Sequence, residues 1–242
     1  MKVIGLHSFR RGVGKSTLAA NLAYLLAAAG KRTILMDVNL YSPALEIFFK
    51  LKRDLSAPTL NDYLSGASPI TELVCQPIPD LPLHLVPASS RTADMISALR
   101  PPWDTTALLN GVTELDASLN PDYLLLDMAS GLHEESILCM SVCNLILEVL
   151  RADAQNYQGT AIMVGVARRL QVEPRLVLND APLDLDLPVV RQRLEKAYDC
   201  PVAAMFTHSD QMMALGAVGG LFVRQNPDAE ISQRLKELAA SL

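Results

Sequence analysis

The sequence predicts a single doubly wound α/β domain over residues 1–242, with one mostly parallel sheet and helices on both faces. Three observations predict it. Apolar runs alternate along the chain with helix-like stretches, successive residues within each run are apolar rather than alternating with polar residues, and a glycine-rich turn joins the first run to the first helix. Continuous apolar runs are typical of strands buried on both faces of a parallel sheet, whose crossovers are helices. A chain of 242 residues is long enough to form one large core of this kind.

The apolar runs predict seven strands along the chain. They are KVIGLHS, KRTILMD, LHLVPAS, DYLLLD, NLILEVLR, PRLVLN and PVAAMF. The first helix shows apolar residues at three- and four-residue spacing, at Leu18, Leu22, Leu25 and Leu26. Gly30 is placed to end this helix. Residues 56–82 are rich in proline and short polar stretches, so we expect small helices and loops over the sheet edge rather than a linker.

The composition excludes several classes of protein. Half of the residues are hydrophobic and 19% are charged, which excludes a disordered chain. The longest apolar segment, LAANLAYLLAAAG, is broken by Asn21 and is shorter than the roughly 20 residues that span a bilayer. No signal-peptide pattern follows Lys2, so we expect a cytoplasmic protein. The net charge of −5 argues against a surface dominated by nucleic-acid binding, while a local basic patch stays open.

The four cysteines do not form the paired CxxC spacing of a zinc site. Cys139 and Cys143 would share one face of a helix, a geometry that is compatible with a metal. Their neighbours are apolar, however, and this favours buried core thiols.

The segment SFRRGVGKST predicts a phosphate-binding loop, because it lies between a strand and a helix. Glycine permits the backbone dihedrals that let consecutive amides curl around a phosphate, here those of Gly12, Val13, Gly14 and Lys15. We expect the Lys15 side chain to reach the terminal phosphates and the Ser16 hydroxyl to bind magnesium, with Thr17 as the next contact. The alternative is a glycine turn before an N-capped helix. The general pattern GxxxxGK[ST] also departs here, since Phe9 stands where it has glycine.

The chain resembles the ParA/MinD family of deviant Walker A ATPases over nearly its whole length. That family has a loop of the form KGGxGK[ST], in which the position of Phe9 varies. KRTILMDVNLYSPAL is similar to its second strand and first switch, and YLLLDMASG to its Walker B strand and second switch. LVLND is similar to the strand that presents an asparagine to adenine, and NPDAEISQRLKELAASL to its closing helix. The resemblance implies a P-loop NTPase fold of the SIMIBI type that binds ATP and Mg²⁺.

The resemblance also implies roles for residues beyond the loop. Asp37 and Asp127 would hold magnesium or its waters at the ends of two strands; the alternative for each is a helix N-cap or a surface turn. Gly131 would let the second switch approach the γ-phosphate. Asn179 would contact adenine, or would simply form a turn before Asp180.

Two arginines replace residues of the family pattern. The family lysine that reaches across a dimer to the partner's nucleotide corresponds to Arg10, whose planar guanidinium is suited to phosphate oxygens. Arg11 replaces a glycine, and it could share this task or crowd the dimer interface. The alternative is that both are solvated loop charges.

Asn39 stands where the family usually has the aspartate that orients the attacking water. An amide can hydrogen bond to water but cannot accept a proton. We therefore expect nucleotide binding and dimerisation to persist, with hydrolysis that is slow or depends on a partner.

The resemblance implies an ATP-dependent homodimeric switch that positions or regulates cellular cargo and has a protein partner that stimulates hydrolysis. Nonspecific DNA is a second possible partner, through basic residues late in the chain: Arg191, Arg193, Lys196, Arg224, Arg234 and Lys236. Membrane contact is less favoured, since the last helix, with Ile231, Leu235 and Leu238 on one face, is expected to pack on the sheet. A nucleotide-binding scaffold with little hydrolysis and an iron-protein-like ATPase that delivers electrons or metal clusters stay open as alternatives.

Overall fold

The computed structural model describes residues 1–99 and 105–242, and within them one sheet of seven strands forms the centre of the molecule. The strands are β1 (Lys2–His7), β2 (Thr33–Asp37), β3 (Leu83–Val86), β4 (Tyr123–Asp127), β5 (Leu145–Leu150), β6 (Glu173–Ala181) and β7 (Val202–Thr207). Their order in space is β3-β2-β4-β1-β5-β6-β7, and neighbouring strands pair in parallel. All seven predicted strands are present, and the predicted doubly wound fold is confirmed.

Helices connect the strands and cover both faces of the sheet. They are α1 (Lys15–Ala28), α2 (Leu45–Phe49), α3 (Leu60–Leu64), α4 (Thr92–Ala98), α5 (Thr105–Leu119), α6 (Glu134–Ser141), α7 (Ala154–Arg169), α8 (Leu187–Tyr198), α9 (Asp210–Val218), α10 (Phe222–Gln225) and α11 (Glu230–Ala240). As predicted, α1 ends just before Gly30, which has a φ of 80°.

The strand order places the loop after β1 at the middle of the sheet. β1 lies between β4 and β5, and the chain runs from β1 outward to β2 on one side and later to β6 and β7 on the other. The loops at the carboxyl ends of β1 and its neighbours diverge at such a reversal and leave a crevice. The fold itself therefore gathers the loop after β1 with the ends of β2, β4 and β6.

The last helix packs on the protein, as the sequence predicts. In α11, Ile231, Leu235 and Leu238 are buried in the apolar layer that also contains α1 and the inner face of β7. These side chains contribute to the core, and burial of each such side chain is worth about 1.5–3 kcal/mol. No described helix is both long and apolar enough to cross a membrane.

Residues 56–82 form short helices over one edge of the sheet, which confirms that prediction. The segment contains α3 and a turn of 3₁₀ helix at Ile70–Leu73. It then leads to Cys75, which pairs in an antiparallel bridge with Leu85 of the edge strand β3. All four cysteines are free thiols, and Cys139 and Cys143 are buried in the apolar core. Their apolar surroundings agree with the interpretation as core thiols.

Phe9, which departs from the general loop pattern, packs against a glycine of α7. A Cβ atom built on Gly159 would lie 2.6 Å from Phe9 Cβ and 2.2 Å from Phe9 Cγ. Such separations are far inside van der Waals contact, and the atoms concerned are not the flexible end of the side chain. Gly159 therefore allows an aromatic ring at the start of the loop, and Phe9 in turn joins the loop to α7.

We expect Gly159→Ala to lower the free energy of unfolding by about 1–3 kcal/mol, because the added methyl group overpacks the contact with Phe9. Urea denaturation measures this change. Gly165→Ala on the same helix is the matched control, since a Cβ there meets nothing within 4 Å among the described residues. Alanine is favoured over glycine in a helix by up to about 1 kcal/mol, so the control should be stabilised. Equal effects of the two substitutions would contradict the packing argument.

Candidate nucleotide-binding site

The loop between β1 and α1 adopts a conformation that requires glycine at two positions. Gly12 and Gly14 have φ values of 79° and 94°, in the left-handed region. Gly14 also lacks space for a side chain, since a Cβ there would lie 2.3 Å from Asn179 Nδ2. Gly14 is the N-cap of α1, and no side chain caps the first turn of this helix. The first amides of α1 are thereby left for an anion.

The loop forms one wall of a cleft of about 560 Å³. The opposite wall comes from the first switch, the end of β7 and helix α9. The polar residues of the cleft and its two methionines come from six segments: Arg11, Lys15, Ser16, Thr17, Asn39, Ser42, Ser130, Asn179, Asp180, Thr207, Ser209, Met212 and Met213. A polar floor beside an apolar wall is typical of a site for a nucleotide, whose phosphates and base need different surroundings.

Lys15 is buried and placed among carboxyl groups. Its side chain is 6% exposed, and its Nζ donates to Ser130 Oγ at 2.7 Å. Burial lowers the pKa of Lys15, whereas the negative charges of Asp127, Glu148 and Asp37 raise it. The cation is therefore held by acids that surround the loop, in a place where added phosphate oxygens would interact with it strongly.

Asp127 ends β4 beneath the loop, close to Lys15 and Ser16. Both carboxylate oxygens are buried and have no hydrogen bond of good geometry within the described residues. Burial raises the pKa of Asp127 to about 6, although Lys15 and the Ser16 hydroxyl moderate the rise. Two unpaired buried oxygens beside a serine hydroxyl fit the donor set that Mg²⁺ prefers. No group of three potential metal-binding side chains occurs among the described residues, so phosphate oxygens would have to complete such a site.

Asp37, the second predicted magnesium ligand, accepts hydrogen bonds from backbone amides at the start of α2. Its Oδ2 accepts from the Ala44 and Leu45 amides at 3.0 and 3.2 Å, and its Oδ1 accepts from the Asn39 amide at 3.2 Å. Burial and the neighbouring Asp127 raise its pKa to about 8, against these three amides. Asp37 is buried, and the N-cap residue of α2 is Ala44, so Asp37 is neither a helix N-cap nor part of a surface turn. Its magnesium role stays a prediction.

The second switch contacts the loop through both Ser130 and Gly131. Ser130 Oγ contacts both Lys15 Nζ and, at 3.1 Å, Ser8 Oγ. Gly131 has a φ of 97°, and its amide donates to the Ser8 carbonyl at 2.9 Å. Sequence reasoning missed Ser130, although it stands beside Gly131 in the segment YLLLDMASG.

Asn179, at the end of β6, lies where the resemblance places an adenine contact. It lines the cleft, and its Nδ2 donates to the Val13 carbonyl at 2.7 Å. The contact fixes the loop to β6 and adds a structural role that the sequence did not predict. Its role toward a base stays a prediction.

The residues that depart from the family pattern lie in different places. Arg11 lines the cleft, whereas Arg10 extends outward and donates to Gln155 of α7. Asn39 lines the cleft half-exposed, and its Nδ2 donates to the Ser42 carbonyl at 2.9 Å. The structure therefore separates the two arginines, which the sequence treated together.

A central strand, a glycine loop that opens a helix, a buried lysine and an orphaned strand-end carboxylate together define a P-loop nucleotide-binding domain. The family model AAA_31, described as an AAA domain, matches residues 1–179. The chain belongs to this family, and its matches to ParA and MinD ATPases agree with the resemblance of the motifs.

Similar proteins cover three quarters or more of the chain. An uncharacterized ATP-binding protein of Methanocaldococcus jannaschii is 23% identical over 99% of this chain and 86% of its own length. The chromosome partitioning protein ParA of Caulobacter vibrioides is 23% identical over 76% of this chain and 70% of its length. The cell division ATPase MinD of Pyrococcus furiosus has a TM-score of 0.86 at 20% identity, covering 99% of this chain and 97% of that one. MinD of Pyrococcus horikoshii, complexed with Mg-ADP, has a TM-score of 0.85 at 18% identity, covering 99% and 95%.

Proposed function

We propose that this protein is an ATP-dependent dimerising switch with slow or partner-stimulated ATPase activity, which positions or regulates cellular cargo. The observation that carries the proposal is the outward position of Arg10. Its guanidinium lies on Gln155 and not in the cleft of its own chain, whereas the family uses the corresponding lysine across a dimer. Relatives named for chromosome partitioning and cell division support the assignment to spatial organisation.

Within one chain, the site residues divide the work of binding a nucleoside triphosphate. Loop amides and Lys15 neutralise the phosphates, and Asn179 faces the base. Ser16 and Asp127, with Asp37 through water, would hold Mg²⁺, which neutralises charge on the phosphate oxygens and orients them. Asn39 lies on the wall of the cleft and orients water with its amide. Because an amide is a poor proton acceptor, this arrangement favours tight binding over rapid hydrolysis.

Size-exclusion chromatography with light scattering tests the switch, using Mg²⁺ with ATP, ADP or no nucleotide. We expect a dimer with ATP and a monomer otherwise. Arg10→Ala should prevent the dimer while leaving ADP affinity within about threefold, since Arg10 does not line its own cleft. Arg11→Ala is the matched comparison and should weaken nucleotide binding itself. A wild-type monomer in all three conditions, despite measured ATP binding, would refute the proposal.

We expect Asn39→Asp to raise the rate of ATP turnover by about tenfold, because a carboxylate, unlike an amide, can accept a proton from the attacking water and adds negative charge. A coupled phosphate-release assay on the purified protein measures the rate. Asn39→Ala is the control: it also removes the bond to the Ser42 carbonyl but adds no carboxylate, so it should not accelerate turnover. If neither variant exceeds the wild-type rate, Asn39 is not what limits hydrolysis.

A nucleotide-binding scaffold with little hydrolysis is the second candidate. It is favoured by the same Asn39 amide and by Asp37, whose two oxygens are taken by backbone amides of the first switch. Tight ATP binding with no turnover, in the wild type and in Asn39→Asp, would select this function. A partner of such a scaffold would recognise whether nucleotide is bound, and hydrolysis would play no part.

We propose that this switch acts on a protein partner, and nonspecific DNA is the alternative. Two of the six basic residues late in the chain pair with acids on their own helices: Arg191 Nη1 lies 3.6 Å from Glu195, and Arg234 Nη2 lies 2.7 Å from Glu230. These pairs reduce the positive potential that DNA would meet.

A further inference from the structure

A histidine and a glutamate pair with each other inside the sheet, beside the nucleotide loop. His7 ends β1 and Glu148 lies opposite it on β5. Their side chains are 0% and 1% exposed, and His7 Nδ1 lies 2.7 Å from Glu148 Oε2. Burying ionisable groups is costly unless they are paired and hydrogen bonded, and an apolar pair would fill the same space at lower cost. The pair therefore calls for a role beyond packing.

The other nitrogen of His7 contacts the second switch. Its Nε2 lies 3.0 Å from the carbonyl oxygen of Gly131. Because a carbonyl oxygen only accepts, this bonding pattern assigns a proton to Nε2. The assignment holds whether Nδ1 donates to a Glu148 carboxylate or accepts from its carboxylic acid. In both cases the ring donates to Gly131, and Glu148 fixes the orientation of the ring.

Gly131 connects this pair to the loop between β1 and α1. Its carbonyl also accepts from Ser136 Oγ at 2.9 Å, and its amide donates to the Ser8 carbonyl at 2.9 Å. The preceding residue, Ser130, accepts from Lys15 Nζ. The Gly131 amide belongs to the peptide that joins it to Ser130, and its carbonyl belongs to the next peptide. His7 and Ser8, which lead into the loop, therefore hold the backbone on both sides of Gly131 and constrain where Ser130 lies relative to Lys15.

We propose that His7 is a positioning residue for ATP hydrolysis, which holds the Gly131 carbonyl through Nε2 while Glu148 orients its ring. His7 does not line the cleft and acts through the backbone of the second switch. The inference rests on the ATPase activity proposed above. Through His7, the side chain of Glu148 on β5 is connected to the backbone of the second switch, and the loop motif does not include this connection.

Two substitutions of His7 separate its two bonds. In His7→Gln, the amide nitrogen is three bonds beyond Cβ, as Nε2 is, so it can still donate to Gly131. In His7→Asn, the amide nitrogen corresponds to Nδ1, so it can reach Glu148 but not Gly131. We expect His7→Asn to lower the single-turnover rate of ATP hydrolysis at least tenfold, because misplaced groups lose rate steeply. His7→Gln should stay within about threefold of the wild type, and both should bind ADP within about threefold.

The same pair of changes at His84 on β3 is the matched control, since no hydrogen bond of the His84 side chain occurs among the described residues. Neither control should change the rate. Glu148→Leu is a second route to the same test if His7→Asn does not fold: it removes the anchor of the ring and should lower the rate as His7→Asn does. Glu148→Gln removes the same charge but keeps a hydrogen-bonding partner for Nδ1, so it should lower the rate less than Glu148→Leu does.

Amide hydrogen exchange at Gly131 gives a readout that does not depend on turnover. We expect exchange at least tenfold faster in His7→Asn than in the wild type and His7→Gln, because opening of this segment exposes the amide. Equal losses of rate in His7→Asn and His7→Gln, with equal losses of ADP affinity, would reduce the pair to a structural role and overturn the inference. An unchanged rate and unchanged exchange in His7→Asn would overturn it as well. A wild-type protein that binds ATP without turnover would refute the ATPase function, and the exchange rates alone would then decide whether His7 holds Gly131.

Discussion

Replacement of Lys15 by methionine is expected to lower ATP turnover by at least 100-fold and to weaken ATP binding. Methionine has a similar length and is tolerated in a buried position, so the change removes mainly the charge. The lost ammonium is the group that the loop holds beside Asp127 and Ser130, at the place where phosphates would bind. Groups positioned against developing charge in a water-poor site are commonly worth 10²–10³ in rate.

The test of Lys15→Met is a titration with a fluorescent ATP analogue together with a phosphate-release assay. Lys196→Met is a suitable control because Lys196 lies on α8, outside the cleft. The control should leave both the affinity and the rate unchanged. If Lys15→Met retains wild-type affinity and turnover, the cleft beside the loop is not the ATP site.

The parts of the structure that the sequence predicted correctly are those set by local pattern. The seven strands are apolar runs with few polar residues, and such runs in a parallel sheet are unambiguous when helices separate them. The loop is equally local, because Gly12 and Gly14 serve a backbone conformation that few other residues adopt. Once the loop is recognised, the Lys15 cation predicts that carboxylates lie near it, and the structure places Asp127, Glu148 and Asp37 there.

The parts that the sequence did not predict depend on contacts between distant segments. His7 and Glu148 are polar residues within two apolar runs and lie 141 residues apart in the sequence. They come into contact only because of the register between β1 and β5. A charged residue within a buried strand was the available signal, since its burial requires a partner somewhere in the fold. The importance of Gly159 likewise cannot be read from the sequence, because it depends on the contact between α7 and Phe9.

The same limit applies to the division of roles within the site. Asp37 and Asp127 end adjacent strands, and the sequence assigned both to magnesium. In the structure, three amides satisfy Asp37, whereas both oxygens of Asp127 lack hydrogen bonds from residues 1–99 and 105–242. Which of two strand-end carboxylates has its hydrogen bonds satisfied depends on the path of the following loop, here the return of residues 44 and 45, and no spacing rule encodes that path.

Asp127→Asn should have opposite effects on stability and on function. In the presence of Mg²⁺ we expect ATP turnover to fall at least 100-fold, because the change removes a charged oxygen ligand from beside Ser16. Without Mg²⁺ and nucleotide, the same change should stabilise the protein at pH 8 by about 1–3 kcal/mol, because the neutral amide does not carry the buried charge whose desolvation raises the pKa of Asp127.

The pH dependence of that stabilisation identifies its cause. Burial raises the pKa of Asp127 from 3.8 to about 6, so the folded state binds a proton more tightly than the unfolded state does. The carboxylate therefore costs stability increasingly as the pH rises from about 4 to about 6, and the full cost is present above pH 6. Urea denaturation with a chelator should show Asp127→Asn more stable than the wild type at pH 8, with the difference shrinking toward pH 4.

An exposed aspartate provides the control of opposite sign. Hydrogen bonds from the backbone and side chain of Arg32 lower the pKa of Asp122, so its charge favours folding above the normal pKa. Asp122→Asn should therefore destabilise the protein at pH 8 and leave ATP turnover unchanged. If Asp127→Asn were instead less stable than the wild type at pH 8 without Mg²⁺, Asp127 would have a partner in the folded protein, and the case for a magnesium ligand at this position would lose its main support. A more stable, inactive Asp127→Asn would mean that the protein retains a destabilising carboxylate at the end of β4 because the nucleotide-bound state needs it.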